Sequence, residues 1–205
     1  RHAKSGQWWD NASHRALANN SVCYTEKPDS ETFMREWLAL VESKSGERGV
    51  FNRKASQNQA AKYGKRDPNH EFGTNPCSEI ILRPYQFCNL TEVVVRATDT
   101  LEDLERKVRC ATILGTIQSA FTKFPYLRKV WQRNTEEERL LGVSLTGIMD
   151  NSLMTTANKE LEKTLEHLRE TAVHTNTIWA DRLGIPQSTA ISCVKPSGTV
   201  SQLVD

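Results

Sequence analysis

Apolar residues recur along the chain at two spacings, and the switch between them predicts its elements. The run ANNSVCYT, Ala18 to Thr25, has the composition of a short buried strand, and Lys27-Pro28-Asp29-Ser30 punctuates it. Behind Ser30, read as an N-cap, Phe33, Met34, Trp37, Leu38 and Val41 return at helical spacing and predict a helix over about Glu31 to Glu42, with Gly46 beyond it. From Ser43 to Thr74 the chain is polar and reads as loop with one short helical turn near Ala55 to Tyr63. Cys88 to Ala97, CNLTEVVVRA, is β-branched and predicts a strand. Thr100 opens a capping-box pattern, TLED, and Leu101, Leu104, Val108, Ala111, Leu114, Ile117 and Phe121 predict a long amphipathic helix to about Thr122, closed by Pro125.

After the charged stretch Thr135 to Arg139, Leu140 to Met149 reads as a buried strand. Leu161, Leu165, Leu168, Ala172, Val173 and Trp179 mark a helix ending near Leu183, with Gly184 at its C-terminal stop and Pro186 beyond. Thr189 to Val194 is a last strand, ending in KPSGT. Strands alternating with helices of this length predict an α/β architecture with largely parallel strands.

Composition narrows the classes. With 205 residues and 38% apolar content the chain holds one sizeable core, and it has no apolar run long enough for a membrane span and no signal-peptide core near its start. It reads as cytoplasmic, without a membrane partner. A formal net charge of +2 gives no global field for a nucleic acid polymer, so any anion site is local. Five cysteines, with no CxxC pair and no zinc-like spacing to histidine, argue against a disulfide framework and a structural metal, so reduced thiols are expected. The five histidines read as surface or satisfied core residues, and Trp8, Trp9, Trp37, Trp131 and Trp179 as packing rather than a base-stacking platform. Both ends read as cut within a longer protein, the last stretch SGTVSQLVD having the look of a new element.

Asn75 to Glu79 spell NPCSE, and Cys88 opens CNLTEV eleven residues after Cys77. With ANNSV at Ala18 to Val22, GVSLTGIMDN at Gly142 to Asn151 and VKPSGTVSQLVD at the end, these motifs span nearly the whole chain. In this order they resemble the adenosylcobalamin-dependent ribonucleotide reductases, especially the monomeric type. The resemblance implies that residues 1–205 are part of a catalytic domain, truncated at both ends: a slice of a ten-stranded α/β barrel with a radical-bearing finger loop. It implies reduction of ribonucleoside di- or triphosphates to deoxyribonucleotides, with adenosylcobalamin as radical source, though no residue of this slice can be assigned to the corrin.

On that reading Cys77 becomes the thiyl radical. An S–H bond is comparable in strength to the C–H bond it breaks, so taking the ribose 3′-hydrogen is nearly balanced and reversible. By resemblance Glu79 is the base for the 3′-hydroxyl, and in an extended loop its position two residues on would put it on the same side as Cys77 and Asn75. An amide at Asn75 can hold ribose hydroxyls without adding charge. Cys88 matches the reducing cysteine, re-reduced by thioredoxin or a similar dithiol, but its family partner lies upstream of this chain's first residue, and Cys23 is not at that motif. Cys23, Cys110 and Cys193 read as small buried hydrophobes. Pro196, Ser197, Gly198 and Thr199 match the turn that gives N–H groups and hydroxyls to substrate phosphates, although alone PSGT is an ordinary turn, and Lys195 beside it is as well read as solvated. The remaining portions of the reductase are implied partners. The rival readings are a piece of a diiron-class large subunit, a non-catalytic fragment or binding module of a split reductase, and a simple dithiol oxidoreductase, the last weakened by the lack of CxxC.

Overall fold

Two parallel strand pairs organise the chain, one in each of two compact units, Arg1–Pro84 and Tyr85–Asp205. The computed structural model describes residues 4, 6–16, 18, 20–44, 48–62, 64–196 and 200–204.

In the first unit a short helix α1 (Trp8–Asn11) and a 3-10 turn lead into β1 (Asn20–Tyr24), then α2 (Ser30–Ser43), β2 (Arg48–Asn52) and α3 (Arg53–Lys62). β1 and β2 pair in parallel, with Ser21 opposite Gly49 and Cys23 opposite Phe51. The N-cap of α2 is Asp29 rather than Ser30: its carboxylate accepts from the Thr32 N–H at 2.8 Å and the Thr32 hydroxyl at 2.7 Å, which hold its pKa below the usual carboxylate range. The helix stands where its periodicity predicts, yet Met34, Trp37, Leu38 and Val41 are all more than half exposed and the one buried residue is Glu36. Periodicity reports that a helix has an apolar face, not what covers it. Where the sequence predicts loop, β2 stands, and the short helical turn expected near Ala55 to Tyr63 is the longer helix α3. The Asn52 side chain caps α3 by accepting from Ala55 N–H at 2.9 Å, and the buried faces of α3 are the small Ser56 and Ala60, which leave little apolar signal. The strands β3 (Gly73–Thr74) and β4 (Ile81–Leu82) then form an antiparallel hairpin.

The second unit begins with β5 (Asn89–Val94), α4 (Leu101–Ser119), α5 (Lys129–Glu138) and β6 (Leu141–Thr146), followed by a 3-10 turn, α6 (Lys159–Leu183) and the short α7 (Val200–Leu203). The capping box at α4 forms as its sequence predicts, Thr100 Oγ1 accepting from Asp103 N–H and the Asp103 carboxylate accepting from Thr100 N–H. The long α6 ends as predicted at Gly184, φ +65°. The sequence predicts no helix where α5 stands, its second half falling on the charged stretch Thr135 to Arg139. Its N-cap Arg128 makes no side-chain cap bond and its buried residues are Asn134, Thr135 and Glu138, so neither start signal nor apolar stripe announces it. The strand expected over Thr189 to Val194 narrows to a parallel bridge, Val143 to Ser192, flanked by bonds from Leu141 N–H to Ala190 O and Cys193 N–H to Val143 O.

β5 and β6 pair in parallel, Asn89 opposite Leu141. Their Val93, Leu141 and Val143, with Val95 just past β5, pack against Leu104, Val108 and Ala111 of α4 and Leu168 and Ala172 of α6. Each fully buried Val or Leu there is worth about 1.5–3 kcal/mol. The helices of this core are also pinned by Asn176, 1% exposed, whose amide donates to Thr116 Oγ1 and Ser188 Oγ at 3.0 Å each and accepts from Ser188 N–H at 2.9 Å.

The architecture is thus mixed helix and strand, with parallel pairing in both larger sheets. The described strands form three two-stranded sheets rather than a closed ten-stranded barrel. Among the described residues no helix is long and apolar enough to cross a membrane.

Candidate functional site

The NPCSE segment occupies the loop of the β3–β4 hairpin in the first unit. Two arginines brace its feet. Arg53 Nε donates to the Phe72 carbonyl at 2.8 Å, just before β3, and Arg66 Nη1 donates to the Ile81 carbonyl at 3.0 Å in β4. The Arg66 guanidinium also lies 4.8 Å from the ring centre of Phe72, which is fully buried. Above this base, Asn75 ties the loop together: its N–H donates to Ile80 O at 3.2 Å and its Oδ1 accepts from Ile80 N–H at 3.0 Å. With Oδ1 spent, the Asn75 amide NH2 is the group left to donate outwards.

The loop is not the extended finger that the alternation argument assumes. Ser78 N–H donates to Asn75 O at 3.0 Å, closing a β-turn with Pro76 in the position its fixed φ favours, and Ser78 sits in the left-handed region at φ +65°. Strand alternation therefore does not relate Asn75, Cys77 and Glu79. The turn leaves Cys77 exposed at its centre, with Asn75 and Glu79 half-buried on either side.

Cys88 lies in the second unit, immediately before β5, and is half-buried. Its neighbours are anchored. Gln86 donates to the Asn134 carbonyl at 3.1 Å and to the Glu138 carboxylate, Phe87 stacks on Trp131 with ring centres 5.7 Å apart, and Asn89 bonds the Leu140 carbonyl through both its backbone N–H (2.9 Å) and its side-chain amide (3.0 Å). Strand alternation here puts Leu90 and Glu92 on the face that follows from Cys88, away from the core residue Val93. Burial pushes the Glu92 carboxyl above its ordinary pKa, against the opposing pull of the Ser144 hydroxyl, 3.4 Å from Oε1, and of the Lys195 charge. Ser144 in turn accepts from Lys195 N–H at 3.1 Å, which ties down the start of the KPSGT segment. Pro196 is exposed, and Ser197, Gly198 and Thr199 lie outside the described residues.

The other cysteines depart from expectation. Cys23 and Cys110 are exposed and Cys193 is half-buried, so none of the three is a buried hydrophobe. Trp9 and Trp37 are likewise more than half exposed, while Trp131 packs as expected. Among the described residues no group of three or more His, Cys, Asp or Glu side chains is placed to hold a metal ion. The braces Arg53 and Arg66 are the part of this site that the sequence reading missed. Their signal was an arginine at a strand-to-helix boundary, FNR, and another shortly before the hairpin.

No protein-family model matches the chain. Similar proteins are found nonetheless. The adenosylcobalamin-dependent ribonucleoside-triphosphate reductase of Lacticaseibacillus paracasei is 28% identical over 218 residues, covering 93% of this chain and 28% of that protein. The enzyme of the same description from Lactobacillus leichmannii is 27% identical over 222 residues, covering 93% and 29%. A probable adenosylcobalamin-dependent ribonucleoside-triphosphate reductase of Dictyostelium discoideum is 32% identical over 139 residues, covering 64% and 17%. The crystal structure of a B-12 dependent (class II) ribonucleotide reductase superposes with a TM-score of 0.69 at 25% identity, over 95% of this chain and 30% of that one. The chain thus spans less than a third of the length of the curated relatives it matches. Motif order, similarity along nearly the whole chain and a shared fold agree: over nearly its whole length the chain is similar to a segment of the adenosylcobalamin-dependent ribonucleotide reductases.

Proposed function

We propose that this chain is part of the catalytic portion of an enzyme that reduces ribonucleotides to deoxyribonucleotides, a slice of the ten-stranded barrel, with Cys77 as the thiol that attacks the substrate. The observation that carries this reading is the braced turn: a thiol exposed at its centre, flanked by a carboxyl group and by an amide whose NH2 is left to donate. Adenosylcobalamin, when bound, supplies the one-electron oxidising equivalent. The demand it makes on this chain is a thiol that can be reached from outside the loop, and exposed Cys77 meets it; no residue of the chain is assigned to the corrin.

The side chains then divide the work. The sulfur radical of Cys77 takes the hydrogen atom from C3′ of the ribose. Glu79 accepts the proton of the 3′-hydroxyl, and the 2′-hydroxyl leaves as water with a proton from the reducing thiol pair of which Cys88 is one member. The Asn75 amide donates to a ribose hydroxyl and holds it against the turn. Cys88 supplies reducing equivalents with a cysteine outside this chain and is re-reduced by thioredoxin or a similar dithiol. The segment Pro196 to Thr199, tethered through the Lys195 to Ser144 bond, receives phosphates. The relatives' description favours a triphosphate substrate.

The test is the Cys77→Ser variant of the native protein that carries this sequence, assayed for deoxynucleotide formation from a ribonucleoside triphosphate with adenosylcobalamin and a dithiol. Reduction is abolished while nucleotide binding is kept. Retained turnover refutes the assignment. In the same assay Ser197→Ala with Thr199→Ala weakens nucleotide binding, each lost bond to a charged phosphate costing about 1.5–3 kcal/mol.

A further inference from the structure

Within the first unit a cavity of about 270 Å³ opens between the strand pair and the hairpin. Ser21 and Cys23 share one face of β1 and line it, and β2 adds Phe51. Arg53 and Asn75 complete its polar wall. Gly49, opposite Ser21, leaves the hydroxyl room, since a Cβ there would lie 3.0 Å from Ser21 Oγ.

A census of hydrogen-bonding capacity defines what the cavity can receive. Arg53 commits Nε to the Phe72 carbonyl, which fixes its guanidinium plane and leaves its terminal N–H groups without a partner among the described residues. Asn75 commits its oxygen to Ile80 and keeps two N–H donors. Ser21 adds a hydroxyl. The lining holds one full positive charge and no carboxylate. A planar guanidinium fork beside neutral donors complements an oxyanion and nothing cationic. The volume also selects: whole small-molecule pockets run to about 300–1,000 Å³, so this one holds a phosphate with the adjoining edge of a sugar rather than an entire nucleotide.

We infer that this cavity is an oxyanion pocket for a phosphate of the nucleotide, with Arg53 as its charged ligand and Ser21 beside it, next to the Asn75 amide that holds the ribose. For the identity of the nucleotide it rests on the function proposed above.

The test is calorimetric titration of the full chain with a ribonucleoside triphosphate, the matching uncharged ribonucleoside and inorganic pyrophosphate. Arg53→Met weakens triphosphate and pyrophosphate binding by about ten- to a hundredfold, the loss of a charge-assisted pair, and leaves the nucleoside unchanged. Arg53→Lys recovers part of the loss, and Arg35→Met, which removes an exposed charge elsewhere in the unit, changes none of the three. If Arg53→Met leaves triphosphate binding intact, or weakens the nucleoside equally, Arg53 only braces the hairpin and the pocket assignment falls while the reductase reading stands. If pyrophosphate binding depends on Arg53 but the wild-type chain ignores triphosphate, the pocket stands and the nucleotide reading falls. If no anion binds, the pocket assignment falls.

Discussion

Two glycines in the second unit share a backbone conformation and differ in their surroundings, and alanine at each separates strain from space. Gly184 ends α6 at φ +65° with no atom within 4 Å of where a Cβ would stand. Gly147 follows β6 at φ +74°, and a Cβ there would be driven into the carbonyl oxygen of Val95. That carbonyl belongs to a residue 1% exposed whose own N–H donates to Thr146 O at 2.8 Å, so the strand end cannot swing aside without breaking a buried bond. Gly184→Ala suffers only the left-handed strain, about 1 kcal/mol, part of it offset by the stiffer unfolded chain. Gly147→Ala suffers the same strain plus a forced backbone shift of about 1–3 kcal/mol, for a total near 2–4 kcal/mol. Equilibrium urea unfolding followed by tryptophan fluorescence reads both, because Trp131 and Trp179 report on the same unit. The expected result is a clear drop in midpoint for Gly147→Ala and a small one for Gly184→Ala, at unchanged slope. Losses equal within about 0.5 kcal/mol would mean that the close approach to Val95 contributes nothing, and the reasoning would fail.

Two further outcomes follow from single side chains. Asn151, 1% exposed, donates to the Arg96 carbonyl at 2.8 Å and the Asp99 carbonyl at 2.9 Å and accepts from Leu153 N–H at 2.9 Å, so Asn151→Ala removes three hydrogen bonds worth about 0.5–1.5 kcal/mol each; a thermal midpoint within error of wild type would contradict this. Glu92 is held above the ordinary carboxylate range by burial, so the folded chain binds that proton more tightly than the unfolded chain, and its stability falls as pH rises from the ordinary range through the raised value. Glu92→Gln removes that loss: the variant is more stable than wild type at pH 7, and the gap closes in acid, as read from urea midpoints across pH. A gap independent of pH would show that Glu92 titrates alike in both states.

Where local chemistry and periodicity coincide, the fold was legible from residues alone. The TLED box, the apolar stripe behind it and the Gly184 stop give α4 and the end of α6 their boundaries. Legibility fails where burial is polar or small: α5 buries Asn134, Thr135 and Glu138, and α3 buries Ser56 and Ala60. It fails differently at α2, whose stripe is correct as periodicity while most of it lies exposed. At the candidate site, the motif singles out Cys77, Glu79 and Asn75, but the extended loop expected there is a turn, because Pro76 favours a turn where alternation presumes an extended chain. Arg53 was invisible for a related reason: an arginine between a strand and a helix gains meaning only once the Phe72 carbonyl is seen beneath it.

The cluster around Asn176 has a consequence for how the two long helices of the second unit can move. Apolar contacts between α4 and α6 re-form after a small slide, so on their own they act as a greased track. A slip of α6 by one residue is about 1.5 Å, enough to pull the amide of Asn176 off Thr116 and Ser188 at once and leave a fully enclosed polar group with nothing to bind. The track therefore has a detent: α6 seats in one notch, and the Ser188 to Cys193 segment that follows it arrives beside β6 in a single register.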